Sequence, residues 1–273
     1  MKVSMLGSGS RGNATVLRSG ETTILVDVGF SGRQVERRLE AVGIDAGAID
    51  AIVITHEHGD HTRGAGVFAR RFGTPVYMTE GTLQVCASLF RGGEEIREYH
   101  PGRTFRIGSL EVEPFLTAHD AVDPVAVAVE CAASGLRVGV ATDLGRPTAG
   151  IRHALRGCHL LILEANHDEG LLRSGPYPPS VQGRIASSHG HLSNTAAARF
   201  ACELLHPGLV GILLAHLSGE CNRPELARQV VESAVRREGF TGLIEVVPQD
   251  HPTELLDLES LRRERGPPQL TFL

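Results

Sequence analysis

The chain has 273 residues, of which 41% are hydrophobic and 22% charged, and its formal net charge is -5. This composition is ordinary for a protein that buries its own core without disulfides, and the acidic balance gives no overall sign of a nucleic-acid binder. The five cysteines are widely spaced and form no C-x-x-C pair, so we expect buried thiols in a reducing compartment. The N terminus lacks the apolar core of a signal peptide and no run approaches a membrane span, which predicts a cytoplasmic protein with no membrane partner.

The first third of the chain predicts strands that are joined by glycine-rich turns and followed by helices. Short apolar runs predict strands at Val3–Leu6, Ala14–Leu17, Thr23–Val28, 51–54 and Pro75–Met78. The segment Gly7–Asn13 turns the first strand into the second. Helices are predicted from the cap residue Ser31 to Gly43, through Val67 and Phe68, and from about Thr82 to Leu89.

The same alternation returns in the rest of the chain. Strands are predicted at Leu110–Ala118, Val125–Cys131, Leu136–Thr142, His159–Leu163, Leu209–Ala215 and Leu243–Val247. Helices are predicted near Ile151–Leu155, over Asn194–Leu205 and from Pro224 to about Arg237. No linker divides these elements, so we predict a single domain over residues 1–273. Its fold class is α/β (α+β layered), a four-layer αββα sandwich of two packed sheets with helices outside.

Two stretches fall outside this alternation. Asn166–Gly190 carries three prolines and several glycines, and it is predicted to be a long irregular loop. A loop of that length inside a compact domain more often has a function than serves only as a connection. The tail after Leu261 is rich in arginine and proline and is predicted to be poorly ordered.

The segment His56-Glu57-His58-Gly59-Asp60-His61 places four potential metal ligands within six residues, directly after a predicted strand. Imidazole and carboxylate together suit zinc, manganese or iron, and the lack of cysteine argues against a closed structural zinc site. A polar surface loop is the alternative interpretation. Histidines crowded in this way would repel one another on protonation unless a cation held them, which favours a metal site.

Three further candidates follow apolar runs later in the chain. His119, Asp143 and His216 each stand at the predicted carboxyl end of a strand, as His56 does. A capped strand end or a solvated loop residue would explain any one of them alone. Four such positions in one chain predict a shared site.

Together these residues form a recognisable pattern. His-x-His-x-Asp-His after a strand, preceded by Leu25-Val26-Asp27-Val28-Gly29 and followed in order by His119, Thr142-Asp143 and His216, resembles the metallo-β-lactamase-fold hydrolases. The resemblance implies two divalent metal ions, Mn²⁺ or Zn²⁺, and a residue outside the ligand set that orients it, Asp27. By the same resemblance His56, His58 and His119 hold one ion, Asp60, His61 and His216 hold the other, and Asp143 bridges them.

Other segments resemble one branch of that superfamily. Gly9–Asn13, Thr142–Gly145, Glu164–Asp168 and Gly190–Asn194 look like the WalJ/YycJ branch, which is associated with 5′-to-3′ exonuclease activity on DNA. The last segment also resembles the histidine motif of tRNA 3′-processing ribonucleases and cyclic phosphodiesterases, where a histidine just before a helix contacts the scissile phosphate. His191 is the candidate for that role, and a plain capping-loop residue is the alternative.

The implied reaction is phosphodiester hydrolysis, in which a metal-bridging hydroxide attacks phosphorus. Asp60 and Asp143 are expected to serve it together with the metals, and His191 would stabilise charge or protonate the departing oxygen. Glu164 is a candidate for orienting the ligands. Arginines in nearby loops could steer a phosphate backbone or be solvated surface charges, namely Arg11, Arg173 and Arg184.

Several other functions stay open at this point. RNA processing or hydrolysis of a small cyclic phosphate would use the same residues. A glyoxalase II-like thioester hydrolase or a lactamase is weaker, because little chain follows His216 and no secretion signal precedes the fold. A non-enzymatic metal-binding module is the remaining alternative. The expected partner is nucleic acid, DNA first and RNA second, and a homodimer is the commonest default for the oligomeric state.

Overall fold

Two seven-stranded sheets occupy the centre of the molecule, and the computed structural model describes residues 1–265 of the chain. The first sheet contains β1 (Lys2–Gly7), β2 (Ala14–Ser19), β3 (Thr22–Val26), β4 (Ala51–Val53), β5 (Val76–Met78), β6 (Ile96–Glu98) and β14 (Leu256–Asp257). The second contains β7 (Phe105–Ile107), β8 (Leu110–Leu116), β9 (Val125–Cys131), β10 (Arg137–Ala141), β11 (Leu160–Glu164), β12 (Gly211–Ala215) and β13 (Leu243–Val246).

Each sheet changes from antiparallel to parallel pairing along its width. The first has the order β14-β1-β2-β3-β4-β5-β6, antiparallel as far as β3 and parallel from β3 to β6. The second has the order β13-β12-β11-β10-β9-β8-β7, antiparallel from β7 to β10 and parallel from β10 to β13. Parallel strands end at one edge of a sheet, and ligands of α/β proteins bind outside such edges.

Helices cover the outer faces of both sheets. Within residues 1–265 they are α1 (Gly32–Ala41), α2 (Gly59–Thr62), α3 (Ala65–Phe72), α4 (Glu80–Cys86), α5 (Ala149–Leu155), α6 (Glu169–Ser174), α7 (Pro179–Ile185), α8 (Asn194–Glu203), α9 (Pro224–Arg237) and α10 (Leu258–Arg265). Single 3₁₀ turns lie at Ala46–Ala48 and Ala87–Leu89. None of the helices in this range combines the length and the apolar character needed to cross a membrane.

Three apolar layers hold the sheets and helices together. One lies between the two sheets, one between the first sheet and α1 and α3, and one between the second sheet and α5, α8 and α9. Strand β11 shows the cause, since Leu160 and Ile162 face the other sheet while Leu161 and Leu163 face the helices. Side chains alternate across a strand, so an apolar strand fills two layers at once. The predicted four-layer αββα sandwich is confirmed.

The prediction of an irregular loop over Asn166–Gly190 is wrong in part, because this segment contains the helices α6 and α7. Asp168 caps α6 by accepting hydrogen bonds from the backbone N–H groups of Gly170 and Leu171, and Pro179 occupies the first turn of α7. Proline in a first turn starts a helix, whereas the sequence interpretation treated it as a breaker. The tail after Leu261, which is predicted to be poorly ordered, is helical as far as Arg265. Its remaining residues lie outside the described part of the chain. All five cysteines are free, and four of them are buried.

Three loops meet at Gly29, the third residue after β3. The N–H of Gly29 donates to the carbonyl of Asn13 at 2.9 Å, and the N–H of Asn13 donates to the carbonyl of Asp60 at 2.7 Å. A Cβ atom at position 29 would lie 1.7 Å from that Asp60 carbonyl oxygen. Glycine is therefore required where the loop after β3 passes the histidine cluster.

We predict that Gly29→Ala lowers the free energy of unfolding by about 3 kcal/mol, because backbone must move to admit the methyl group. Urea unfolding measures the change. Gly183→Ala is the matched control, since a Cβ there meets open space and alanine favours the helix α7. Equal effects at the two positions would contradict the close packing at Gly29.

Candidate metal centre

Residues at or just after strand ends of both sheets line one polar cavity or contact the residues that line it. Asp27 follows β3, His56 follows β4, Asp143 follows β10, Glu164 ends β11 and His216 follows β12. The cavity has a volume of about 220 Å³, and its lining includes Ser10, His58, Asp60, His119, Asp120, Asp143, Arg184, His191 and His216. The structure therefore brings together all the residues that the sequence selected at strand ends.

The backbone is held in an uncommon conformation at three of these strand ends. Asp27, Asp143 and His216 have φ of 62°, 58° and 56°, and they are the non-glycine residues with positive φ in the described chain. Such a conformation costs on the order of 1 kcal/mol or more at each residue and persists where surrounding contacts impose it. All three turns aim a carboxylate or an imidazole into the same place, which marks this edge as a functional site.

His56, His58 and His119 form the first ligand group. One nitrogen from each ring lies within 4.8 Å of the others, and Nδ1 of His58 is 3.3 Å from Nε2 of His119. Nδ1 of His119 donates to the carbonyl of Gly190 at 3.2 Å, and Nδ1 of His56 is 3.0 Å from the hydroxyl of Thr55. Each of these two rings is thus held by one nitrogen and presents the other to the cavity.

Asp60, His61 and His216 form the second group, with ligand atoms again within 4.8 Å of one another. Nδ1 of His61 donates to the carboxylate of Asp27 at 2.7 Å, and Nε2 of His216 is 3.4 Å from Oδ2 of Asp60. Asp60 and His61 belong to the one-turn helix α2, so they leave the strand end on a different path from His56.

Asp143 lies between the two groups. Its Oδ2 is 3.1 Å from Nε2 of His61, and its Oδ1 is 3.6 Å from Nε2 of both His119 and His216. Its carboxylate therefore reaches a histidine of the first group and two of the second.

The donor set fits divalent cations. Nε2 of His56 is buried and has no hydrogen-bond partner among residues 1–265. A buried polar atom without a partner costs about 1–3 kcal/mol, and a cation would remove that cost. Histidines that ligate metals are held through the second ring nitrogen by a carboxylate, a carbonyl or a hydroxyl, which is the arrangement of His61, His119 and His56.

The protonation states of His56 and Asp143 suit a metal, whereas at His61 and His216 burial is outweighed by nearby carboxylates, which raise the pKa of both. Burial, together with the nearby charge of His61, holds the pKa of His56 well below its ordinary value, so the ring is neutral. Burial would raise the pKa of Asp143, but the charges of His216 and His61 outweigh it and hold that pKa well below the ordinary value. Neutral imidazole and ionised carboxylate are the forms that bind metal ions.

The carboxylate of Glu164 is fully buried and joins three segments of the site. Its Oε1 accepts hydrogen bonds from Nδ1 of His191 at 2.8 Å and from Nδ1 of His216 at 3.0 Å. The carboxylate also accepts from the backbone N–H groups of Asp143, Leu144 and Leu192. Burial works to raise its pKa, but His191 and then His216 outweigh burial and lower the pKa to about 2. Its anion therefore fixes both imidazoles.

His191 is partly exposed at the cavity wall, and its Nδ1 lies 3.8 Å from Oδ1 of Asp143. The preceding Gly190 packs so closely that a Cβ there would lie 2.2 Å from the carbonyl oxygen of Ile185. Ser193 caps α8 by accepting from the N–H of Ala196. The loop thus delivers an imidazole next to both ligand groups.

Several residues that hold the site were not selected from the sequence. Nδ2 of Asn13 is 3.3 Å from Oδ2 of Asp60 and 3.1 Å from Nε2 of His61. The hydroxyl of Ser8 accepts from the N–H of His216 at 2.8 Å and donates to Oδ1 of Asn13 at 2.8 Å. The glycine-rich loop therefore ties the second ligand group together, a role that the resemblance of Gly9–Asn13 to the WalJ/YycJ branch did not specify.

The three arginines that the sequence analysis selected differ in their surroundings. Arg184 lines the cavity with the ligands, and Arg173 lines a neighbouring cavity. Arg11 instead forms an exposed ion pair with Asp250 at 2.7 Å. Arg11 is thus already paired, whereas Arg184 faces the site.

Comparisons with known proteins identify the family of this chain. Residues 22–212 match the beta-lactamase superfamily domain. Exodeoxyribonuclease YycJ of Bacillus anthracis is 34% identical over 87% of this chain and 90% of its own length. Exodeoxyribonuclease WalJ of Streptococcus pneumoniae is 35% identical over 84% of this chain and 86% of its own.

Among solved structures, the metallo-β-lactamase-fold protein YhfI of Bacillus subtilis superposes with a TM-score of 0.71 at 20% identity, covering 93% of this chain and 99% of its own. The superposition shows the same fold. The chain therefore belongs to the metallo-β-lactamase superfamily of hydrolases and is an enzyme of the family that contains YycJ and WalJ.

Proposed function

We propose that this enzyme is a metal-dependent phosphodiesterase that degrades DNA as a 5′-to-3′ exonuclease. The observation that carries the proposal is His191, which is fixed by Glu164 at the wall of the cavity that holds both ligand groups. The exodeoxyribonuclease relatives support DNA as the substrate. The 5′-to-3′ direction of degradation is taken from the resemblance to the WalJ/YycJ branch. We include a cytoplasmic location, because free cysteines suit a reducing compartment.

The proposed metal ligands divide as the resemblance implies. His56, His58 and His119 would hold one divalent cation, Asp60, His61 and His216 would hold a second, and Asp143 would be shared. Asp27 would orient His61 through their 2.7 Å hydrogen bond. Two such ions, Mn²⁺ or Zn²⁺, supply a water of lowered pKa and positive charge for a bound phosphate.

His191 acts on the substrate in this proposal. Burial disfavours its protonated form, but the charge and the hydrogen bond of Glu164 outweigh burial and raise its pKa. Because Nδ1 is engaged by Glu164, Nε2 is left to face a phosphate. A protonated ring there donates a hydrogen bond to a phosphate oxygen or a proton to the departing oxygen. Arg184 adds a positive charge to the same wall.

The first test uses end-labelled duplex DNA, single-stranded DNA and RNA with Mn²⁺ or Zn²⁺. We expect labelled DNA to be shortened from its 5′ end, and we expect a chelator to abolish the reaction because the ligand set fits divalent cations. Gel analysis of the products measures both. Activity that survives thorough chelation would contradict the metal-dependent mechanism, and faster cleavage of RNA would favour the RNA-processing alternative.

The second test separates His191 from the metal ligands. His191→Ala should lower kcat by about 10²- to 10⁴-fold, the usual contribution of a positioned acid, while the bound metal remains. Asp143→Asn should lose metal as well as turnover. Elemental analysis of the purified variants measures the metal, and His153→Ala, on the exposed side of α5, is the control. Loss of metal from His191→Ala would make His191 a ligand instead.

The third test concerns Glu164 in the metal-free protein. Its pKa is lowered from 4.5 to about 2, so its carboxylate stabilises the fold fully above about pH 4.5. That stabilisation is lost as the pH falls from there towards 2. We expect Glu164→Gln to reduce the free energy of unfolding at neutral pH by about 3 kcal/mol and to flatten its decline in acid.

Denaturant unfolding from pH 7 to 3 measures this dependence. Glu220→Gln, at an exposed turn outside the site, removes a carboxylate of the same kind and is the matched control. A Glu164→Gln protein with the stability and acid response of the unsubstituted chain would show that the buried carboxylate does not hold the site.

A further inference from the structure

A second cavity, of about 420 Å³, adjoins the metal centre, and His191 lines both. Its volume lies within the range of roughly 300–1,000 Å³ that is usual for small-molecule pockets. None of the proposed metal ligands lines it. The two cavities therefore meet at His191, so a substrate whose phosphate binds there could place its attached group in this space.

The walls of the second cavity differ in character. Leu172, Leu192 and Ala196 give it an apolar side, while Glu169 and Arg173 give it a charged rim. The carboxylate of Glu169 accepts a hydrogen bond from the hydroxyl of Ser193 at 2.9 Å. An apolar wall beside a few polar groups suits a flat heterocycle with a polar edge.

His167 is the most specific feature of this cavity. The residue is 2% exposed, and its Nδ1 is buried with no hydrogen-bond partner among residues 1–265. Its backbone is fixed, because its carbonyl accepts from the N–H of Asn194 at 2.8 Å and the residue pairs with Ser193 in a parallel bridge. Burial lowers the pKa of His167, so the neutral ring offers one donor and one acceptor. The unpartnered nitrogen of a neutral ring suits a single polar atom of a nucleobase edge better than a phosphate anion, which favours cationic donors.

We propose that this cavity binds the nucleoside that is attached to the scissile phosphate. The base lies against the apolar wall, its polar edge meets His167 and Glu169, and Arg173 faces the sugar-phosphate side. Enzymes that act on single nucleotides read them in this way, with hydrogen bonds to the base edge in a fitted pocket. The inference rests on the proposed function, since His191 places the phosphate at the junction of the two cavities.

The first experiment measures binding of deoxycytidine and of thymidine to the chelated, metal-free full-length protein by saturation-transfer NMR. We expect at least one of the two to bind, and we expect Ala196→Phe to weaken that binding at least tenfold by filling the cavity. Ala186→Phe, at an exposed position on the same wall, is the second variant in case Ala196→Phe does not fold. Thr195→Phe, on the exposed face of α8, is the matched control.

The second experiment uses the metal-loaded enzyme. The ratio of kcat/KM for a single-stranded oligonucleotide to that for bis(p-nitrophenyl) phosphate, which carries no nucleoside, should fall at least tenfold in the filled-cavity variants. Nucleoside binding and a kcat/KM ratio that are both unchanged in the filled-cavity variants would overturn the proposed pocket. Metal-free protein that binds inorganic phosphate but neither nucleoside would also overturn it. If the unsubstituted enzyme cleaves neither substrate, the proposed function fails, and nucleoside binding then still decides the pocket by itself.

Discussion

The buried carboxylate of Glu164 is the constraint on which the rest of the site depends. It accepts hydrogen bonds from the end of β10, from the loop that carries His191, and from His216 after β12. A buried charge is tolerated only when it is fully hydrogen-bonded. The three segments must therefore take up their positions together, and a displacement of any one of them would leave an anion unsatisfied in the interior.

The first sheet contains a counterpart. Asp27, after β3, accepts from the N–H and hydroxyl of Thr55 and from Nδ1 of His61. Each sheet thus ends in a buried carboxylate that holds Nδ1 of a proposed ligand, His61 or His216, whose Nε2 lies near Asp143. The two carboxylates belong to different sheets, so one arrangement is built twice from unrelated stretches of chain.

The layers could be predicted from local patterns in the sequence, whereas the division of the ligands between two metals is implied by the family resemblance and stays a prediction. Unbroken apolar runs define strands such as β11, and polar residues that follow strands of either sheet, such as His56 and Asp143, converge at one site. The contacts of Asn13, Ser8 and the Gly190 carbonyl could not be predicted, because they join loops that are distant in sequence and have no periodicity. Strands β6, β7 and β14, of two or three residues, were missed for the related reason that a period cannot be read over so short a run.

The distance along the chain between the two halves of the site has a consequence for synthesis. Asp60 and His216 are 156 positions apart, and the loop of Ser8 and Asn13 joins them only after the second sheet has packed on the first. Contacts with such sequence separation form late in folding, because long loops must close first. A nascent chain that ends before β12 holds the histidine cluster but no complete second ligand group, so hydrolytic activity would be delayed until nearly the whole enzyme has left the ribosome.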